Sequence, residues 1–137
     1  MRLPCRCRRS RGAVLVEFVI VLPVFLLLLL ATIDWGWYFV LRETAVNATR
    51  EGARAASVAP AGRAQDDATI AVTNYLRNTL GEGRVRNPQL AWPVVNGRQA
   101  ISVSLVDYPA GPITGFAPTR VPSTLTATTV MRLEVQP

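Results

Sequence analysis

From Phe18 to Ile33 the chain carries thirteen Leu, Ile, Val or Phe residues in sixteen positions, interrupted only by Pro23, Ala31 and Thr32. Few folds can accept such a segment. Extended back to Ala13 it takes in one charge, Glu17, and reaches 21 residues, which is about 31 Å of helix against roughly 30 Å of bilayer hydrocarbon. At roughly −0.3 to −0.6 kcal/mol each, the apolar side chains of Phe18–Ile33 contribute about −4 to −8 kcal/mol, more than the ~3 kcal/mol cost of one carboxylate at the bilayer centre. Insertion wins. A cleaved secretory signal would have a shorter apolar core followed by small residues, and Asp34-Trp35-Gly36-Trp37 does not fit that pattern. Pro23 falls well inside the helix and predicts a mild kink, which membrane helices tolerate.

Arg2, Arg6, Arg8, Arg9 and Arg11 all precede the span, so the N-terminus is expected in the cytoplasm and the C-terminal portion outside. Trp35, Trp37 and Tyr38 are expected to anchor the far interface. Glu17 and Asp34 lie 17 residues apart, about 25 Å along the axis, so both reach opposite edges of the hydrocarbon. For Asp34 this predicts an interfacial residue and no more. Glu17 sits five positions after a glycine, where an Arg-rich tail meets the span. An ionisable residue there marks a functional site with a partner. Glu17 reads either as an interfacial residue or as a functional one whose partner is a new amine, created by cutting the chain at Gly12, and its surroundings favour the second.

A net charge of +6 and a pI near 10.6 would ordinarily raise nucleic-acid binding. All fifteen basic residues are Arg, however, and five precede Gly12; residues 13–137 hold ten Arg against nine acids, a net of +1. The basicity belongs to the leader, and no nucleic-acid partner is expected. Cys5 and Cys7 lie there too. Without a histidine, Cys-Arg-Cys cannot complete a zinc site, so neither metal nor cofactor is expected.

Arg11-Gly12-Ala13-Val14-Leu15-Val16-Glu17-Phe18, the Leu-rich span with Pro23, Asp34-Trp35-Gly36, and Asn47-Ala48-Thr49-Arg50-Glu51-Gly52-Ala53-Arg54-Ala55-Ala56 together resemble the TadE-like family. These are minor pilin-like proteins of the bacterial tight-adherence, or Flp, pilus apparatus. The likeness is close from about Arg11 to Val58 and is one of general layout beyond, including Leu125–Arg132. Asp34-Trp35-Gly36 stands where the family often has Glu-Phe-Gly. TadE and TadF members share this N-terminal segment, so the resemblance does not divide them. It implies processing between Gly12 and Ala13 by an aspartic prepilin peptidase on the cytoplasmic face, with Glu17 and Phe18 in the recognition and assembly segment. It also implies the bacterial inner membrane as location, and a part in pilus assembly, surface adhesion and secretion. The partners implied are membrane lipid, the peptidase, and other pilin-like subunits or the assembly platform, with no small-molecule substrate.

Elementary chemistry agrees with that implication. Glycine lets a backbone approach a catalytic site closely. Cleavage turns a neutral peptide nitrogen into an α-ammonium at Ala13, about 6 Å along the axis from Glu17. A carboxylate with a cation in reach costs far less than one alone. Glu17 pairs either with its own Ala13 or with that of a neighbouring subunit.

Beyond the span the helix is expected to continue. Leu41, Ala45, Ala48, Gly52, Ala55 and Ala59 recur at spacings of 4, 3, 4, 3 and 4, a small-residue seam that lets another helix come close. Arg42, Glu43, Arg50, Glu51 and Arg54 read as a solvated face. Val14–Val58 then forms one helix of 45 residues, about 67 Å long, half in lipid and half packed on a head. The Asn47-Ala48-Thr49 sequon, mid-helix, reads as accidental.

Pro60-Ala61-Gly62 should break that helix. Asp66 or Asp67 offers an N-cap for a second, amphipathic helix whose Ala68, Ala71, Val72, Tyr75, Leu76 and Leu80 face one way, ending at Gly81-Glu82-Gly83. Gln89–Val95 and Arg98–Val106 flank Asn96-Gly97, a strong hairpin turn. A Pro/Gly-rich loop follows over Pro109–Pro122, tacked down by Ile113 and Phe116, and Ser123–Val135 alternates as a third strand. The expectation is an α+β protein of the pilin-like lollipop kind, with a long N-terminal transmembrane and stalk helix, a second helix and a small three-stranded antiparallel sheet. Its parts are a leader over residues 1–12, a transmembrane helix over 13–39, a membrane-proximal continuation over 40–59 and an external head over 60–137.

The chain has no histidine, no Gly-x-Ser-x-Gly elbow and no phosphate loop, so an enzyme is not expected. Two readings stay open. One is a pilin-like assembly subunit cleaved at Gly12. The other is an uncleaved single-pass anchor whose α+β head binds an external partner.

Overall fold

The computed structural model describes residues 11–60, 62–116 and 120–132. The leader with Cys5 and Cys7, Ala61 of the helix break, and Leu133 and Val135 of the last expected strand lie outside the described residues.

Helix α1 spans Arg11–Val58 without interruption, Pro23 included. It is the one helix among the described residues that is long and apolar enough to cross a membrane, and none of its apolar window is buried inside the protein. Burial begins at Leu30 and Ala31 and is complete at Asp34. From there the same helix becomes the central element of the head.

Helix α2 (Ala64–Leu80) packs on α1 through Ala64, Ala68, Val72 and Leu76. Asp66 and Asp67 do not cap it. The N-cap position falls on Arg63, which makes no side-chain cap bond, and both aspartates lie in the first turn. A carboxylate there still meets the positive end of the helix dipole, which is the physical content the sequence pattern carried. Gly81 ends α2 at φ 84°, its N–H returning to the Arg77 carbonyl, and a short 3-10 turn over Glu82–Arg84 follows.

The sheet is antiparallel and centred on β3 (Arg98–Pro109). Along one edge run β1 (Gln89–Ala91) and β2 (Val94–Val95); along the other runs β4 (Thr124–Arg132). The strand expected over Gln89–Val95 is therefore two segments, giving four strands where three were expected. The cause is Pro93, which has no N–H to give the ladder. Register is kept across the gap, since Ala91 faces Ser102, Val94 faces Gln99, and the Pro93 carbonyl still accepts from Ala100 N at 2.9 Å. The Asn96-Gly97 turn closes the hairpin with φ of 53° and 75°, as its type requires.

One feature of β3 was illegible in the alternation. Its register against β4 shifts between Leu105 and Tyr108, with Asp107 at φ 51°, so a bulge changes which face the strand presents. Tyr108 thereby turns inward and is fully buried, donating its hydroxyl to the Arg84 carbonyl at 3.0 Å.

The buried stripe of α1 comprises Leu41, Thr44, Ala45, Ala48, Thr49, Gly52, Ala53 and Ala56, two adjacent columns at helical spacing. The seam read from sequence was one column. Two layers share this helix, α2 on one side and β3 with β4 on the other, so the covered face widens to the usual core-facing stripe. Ala55 and Ala59 fall at its border, only partly buried. Thr49 faces the sheet: its hydroxyl donates to the Val46 carbonyl and meets the Thr129 hydroxyl at 2.8 Å. At Gly52 the packing leaves no room at all. A Cβ there would lie 2.5 Å from Val72 Cγ2, 3.3 Å from the Ala68 carbonyl oxygen and 3.4 Å from Val103 Cγ1.

Val72 is β-branched and stiff at χ1, so it cannot simply swing aside. Gly52→Ala should therefore destabilise the head by about 1–3 kcal/mol, although alanine is the better helix former by roughly 1 kcal/mol. Val72→Ala in the same chain should recover part of that loss. Thermal melts of the two single variants and the double variant check this; purely additive losses would mean the clash does not govern the site.

Burial pushes the Tyr108 phenol above its ordinary value of 10, against a smaller opposing pull from the Arg84 and Arg86 guanidiniums. Neutral phenol is thus favoured in the folded state. The stability this confers is complete below the unfolded value, about pH 10, and is lost as pH rises through the folded one. Every cation among the side chains is Arg, and arginine keeps its charge in that range. Melting temperature should fall above about pH 10, and Tyr108→Phe should flatten the decline.

Candidate functional site

The N-terminal residues singled out by sequence lie together on the first turns of α1. Among the described residues, Gly12 has nothing within 4 Å of where a Cβ would stand. Glu17 and Phe18 are exposed on the outside of the helix, in the midst of an exposed apolar surface from Val14 to Leu29. Ala13 precedes Glu17 by one helical turn. Among the described residues, nothing in the head approaches this end of the molecule, since the head gathers on α1 from Asp34 onward.

The second group of expected residues is occupied within the chain itself. Leu41, Ala45 and Ala48 are fully buried in the core formed with α2 and the sheet, and Gly52 sits against Val72 and Val103. Ala55 stands at the rim. Opposite them Arg42, Glu43, Arg50, Glu51 and Arg54 are all exposed, as a solvated face should be.

Between these groups, at the end of the apolar run, the structure reveals a residue that sequence reasoning undervalued. Asp34 is not a passive interfacial carboxylate. It is fully buried, and its two oxygens accept from Thr114 N at 2.8 Å and from the Thr114 hydroxyl at 2.7 Å. Bonds to an ionised acceptor are the strong kind. They hold the β3–β4 loop against α1, with a further bond from Ala110 N to the Ser123 carbonyl at 2.8 Å closing its base. Ile113 and Phe116, expected to tack this loop down, are instead 61% and 68% exposed. Thr114, 80 positions from Asp34, carries no local signal that could have named it as the partner.

The aromatic anchor also divides. Trp35, Tyr38 and Phe39 form a cluster with ring centroids 5.8 to 6.1 Å apart. Trp37 instead turns to the head, where the Arg84 guanidinium lies 5.2 Å over its ring and donates to the Pro109 carbonyl at 3.3 Å. Cation, ring and strand end are thus tied together one turn beyond Asp34.

Asp34→Ala should free the loop without unfolding the head. Bonds to charged groups are each worth roughly 1.5–3 kcal/mol, so exchange of the Thr114 amide hydrogen should quicken at least tenfold while exchange at Val103 stays slow. Asp34→Asn, with one acceptor oxygen left, should fall between. Equal exchange in all three proteins would remove the latch.

No curated protein and no solved structure matches the chain. The family described as TadE-like protein matches residues 12–54. The match begins at Gly12, takes in the whole exposed span and Asp34, and ends at the exposed Arg54, just past Gly52 and Ala53 of the buried stripe. Over this segment, and no further, the chain is similar to the TadE-like family.

Proposed function

We propose that the protein is a pilin-like membrane subunit for assembly of a tight-adherence, or Flp, pilus, processed by a prepilin peptidase between Gly12 and Ala13. The family match supports association with such a pilus. The observation that carries the finer reading is the arrangement on α1. Among the described residues nothing crowds Gly12, Glu17 follows Ala13 by one turn, and the surface from Val14 onward is apolar and exposed.

Since the small-residue face from Leu41 to Gly52 is covered by the chain's own α2 and sheet, contacts between subunits fall to the span. There an uncompensated carboxylate in lipid is expensive, and the ammonium made by cleavage at Ala13 of the same or a neighbouring copy relieves it. Glu17 then acts as a register device. The anchor is a single pass in the bacterial inner membrane, with the leader arginines cytoplasmic and residues 40–137 outside. The alternative, an uncleaved anchor with a binding head, is favoured by one observation: the head of a single chain encloses an apolar core of its own.

The N-terminus of the mature protein decides between them. Mass spectrometry of membrane-extracted protein should find Ala13 first, and Gly12→Val should accumulate the precursor. Glu17→Val should be inserted and cleaved yet fail to support piliation at matched membrane levels. An intact leader would defeat the prepilin reading. Normal pili with Glu17→Val would make that residue a bystander.

A further inference from the structure

The β3–β4 loop shows an apolar tip in an unusual place. From Tyr108 to Thr119 the sequence has no charged residue, and within this stretch Ile113 and Phe116 point two large side chains out of the protein, 61% and 68% exposed. A loop bathed in water is normally polar. Gly115, at φ 69°, turns the chain between Thr114 and Phe116, so both side chains flank the residue that Asp34 holds.

Its height is fixed by that latch. Asp34 directly follows Ile33, the last residue of the apolar run, and Thr114 is bonded to it through both backbone and side chain. Val14–Ile33 is 20 residues, about 30 Å, which matches the hydrocarbon thickness. The level of Asp34 is therefore the boundary between acyl chains and headgroups, the depth at which Trp35, Tyr38 and Phe39 of α1 gather and at which aromatic side chains settle. Arg84 and the end of β3 meet α1 one turn past Asp34, and from there the head leads away from this level. Val103 meets Gly52, 18 residues further along α1, roughly 27 Å above Asp34, and the β2–β3 hairpin lies beyond it.

We infer that the β3–β4 loop is a second membrane contact, inserting Ile113 and Phe116 into the interface of the leaflet from which α1 emerges. The partner is the lipid surface itself. Two attachments to one bilayer, the span and the loop, restrict the head's tilt and its rotation about α1, which one helix alone leaves free. This inference rests on α1 spanning the membrane. It is independent of cleavage at Gly12 and of which face of the membrane the head occupies.

The test uses the full chain with Cys5→Ser and Cys7→Ser, carrying one fluorophore-labelled cysteine at Leu26, Ile113, Phe116 or Arg98. Each is reconstituted in phosphatidylcholine–phosphatidylglycerol vesicles, with or without lipid bearing a spin-label quencher near the headgroup or deep in the acyl chain. Labels at Ile113 and Phe116 should be quenched at least twofold more by the shallow quencher than the label at Arg98, and should be shielded from iodide. The Leu26 label should respond to the deep quencher. If Leu26 is quenched while Ile113 and Phe116 are as open to iodide as Arg98, the loop contact is overturned and the span stands. If the two labels are shielded from iodide but deaf to both lipid quenchers, protein covers the tip and the inference is equally overturned. Failure of Leu26 to respond would defeat the spanning helix and the loop contact with it.

Discussion

One helix serves two solvents, and everything else follows from that. The first half of α1 exposes Val, Leu, Ile and Phe on every side, a surface that calls for apolar cover, whereas beyond Leu41 the second half has only Ala, Gly and Thr on its buried stripe. Small residues bring little apolar area of their own, so the head gains its burial from what they admit. Besides Leu41 of α1, the large buried apolar side chains are Val72 and Leu76 of α2 and Ile101, Val103, Leu105 and Tyr108 of β3, which the small residues of α1 admit. Gly52 is the extreme of this arrangement. A methyl group there collides with Val72, and a collision in a core packed to crystal density has nowhere to dissipate.

Continuity between the halves makes the junction at Asp34 a mechanical one. A carboxylate at the end of an apolar run would ordinarily be hydrated by headgroup water, and burying it is tolerable only with strong acceptor contacts. Thr114 supplies two from one residue, its amide and its hydroxyl. Arg84, stacked over Trp37 and bonded to the Pro109 carbonyl, adds a tie at the next turn. The head thus meets α1 through apolar packing at the top and polar bonds at the membrane edge, where water and headgroups would compete with weaker contacts.

The local periodicities carried most of the architecture, and the departures have specific causes. The long helix, the α2 face of Ala68, Val72 and Leu76, the Asn96-Gly97 turn and the inward Leu125 and Ala127 all follow from patterns a few residues long. Pro93 split a strand without disturbing its register, because a missing N–H costs one ladder bond and no side-chain contact. The bulge at Val106-Asp107 reversed the inward face and buried Tyr108, an event that period-two alternation cannot encode. Asp34 was underestimated for another reason: its significance resides in Thr114, and no spacing rule links positions so far apart. Ala55 was placed in the seam because a single column of small residues was assumed where two layers in fact press on the helix.

The extent of the family match acquires a physical sense from this geometry. Residues 12–54 contain the proposed processing segment, the span, the latch carboxylate and the stripe as far as Ala53, while the partners of that stripe come from the unmatched remainder of the chain. A face of alanine and glycine demands closeness from whatever covers it; it does not dictate whether the cover is Val72 or another side chain of similar volume. A carboxylate at position 34 likewise demands a donor, and a backbone N–H with an adjacent hydroxyl is one of several ways to provide it. The helix therefore sets the requirements that any head must meet, and the head solves them with its own sequence. Glu17 stands apart from both. On the proposed reading its requirement is a cation at lipid depth, and the described head, which gathers on α1 only from Asp34 onward, offers none there.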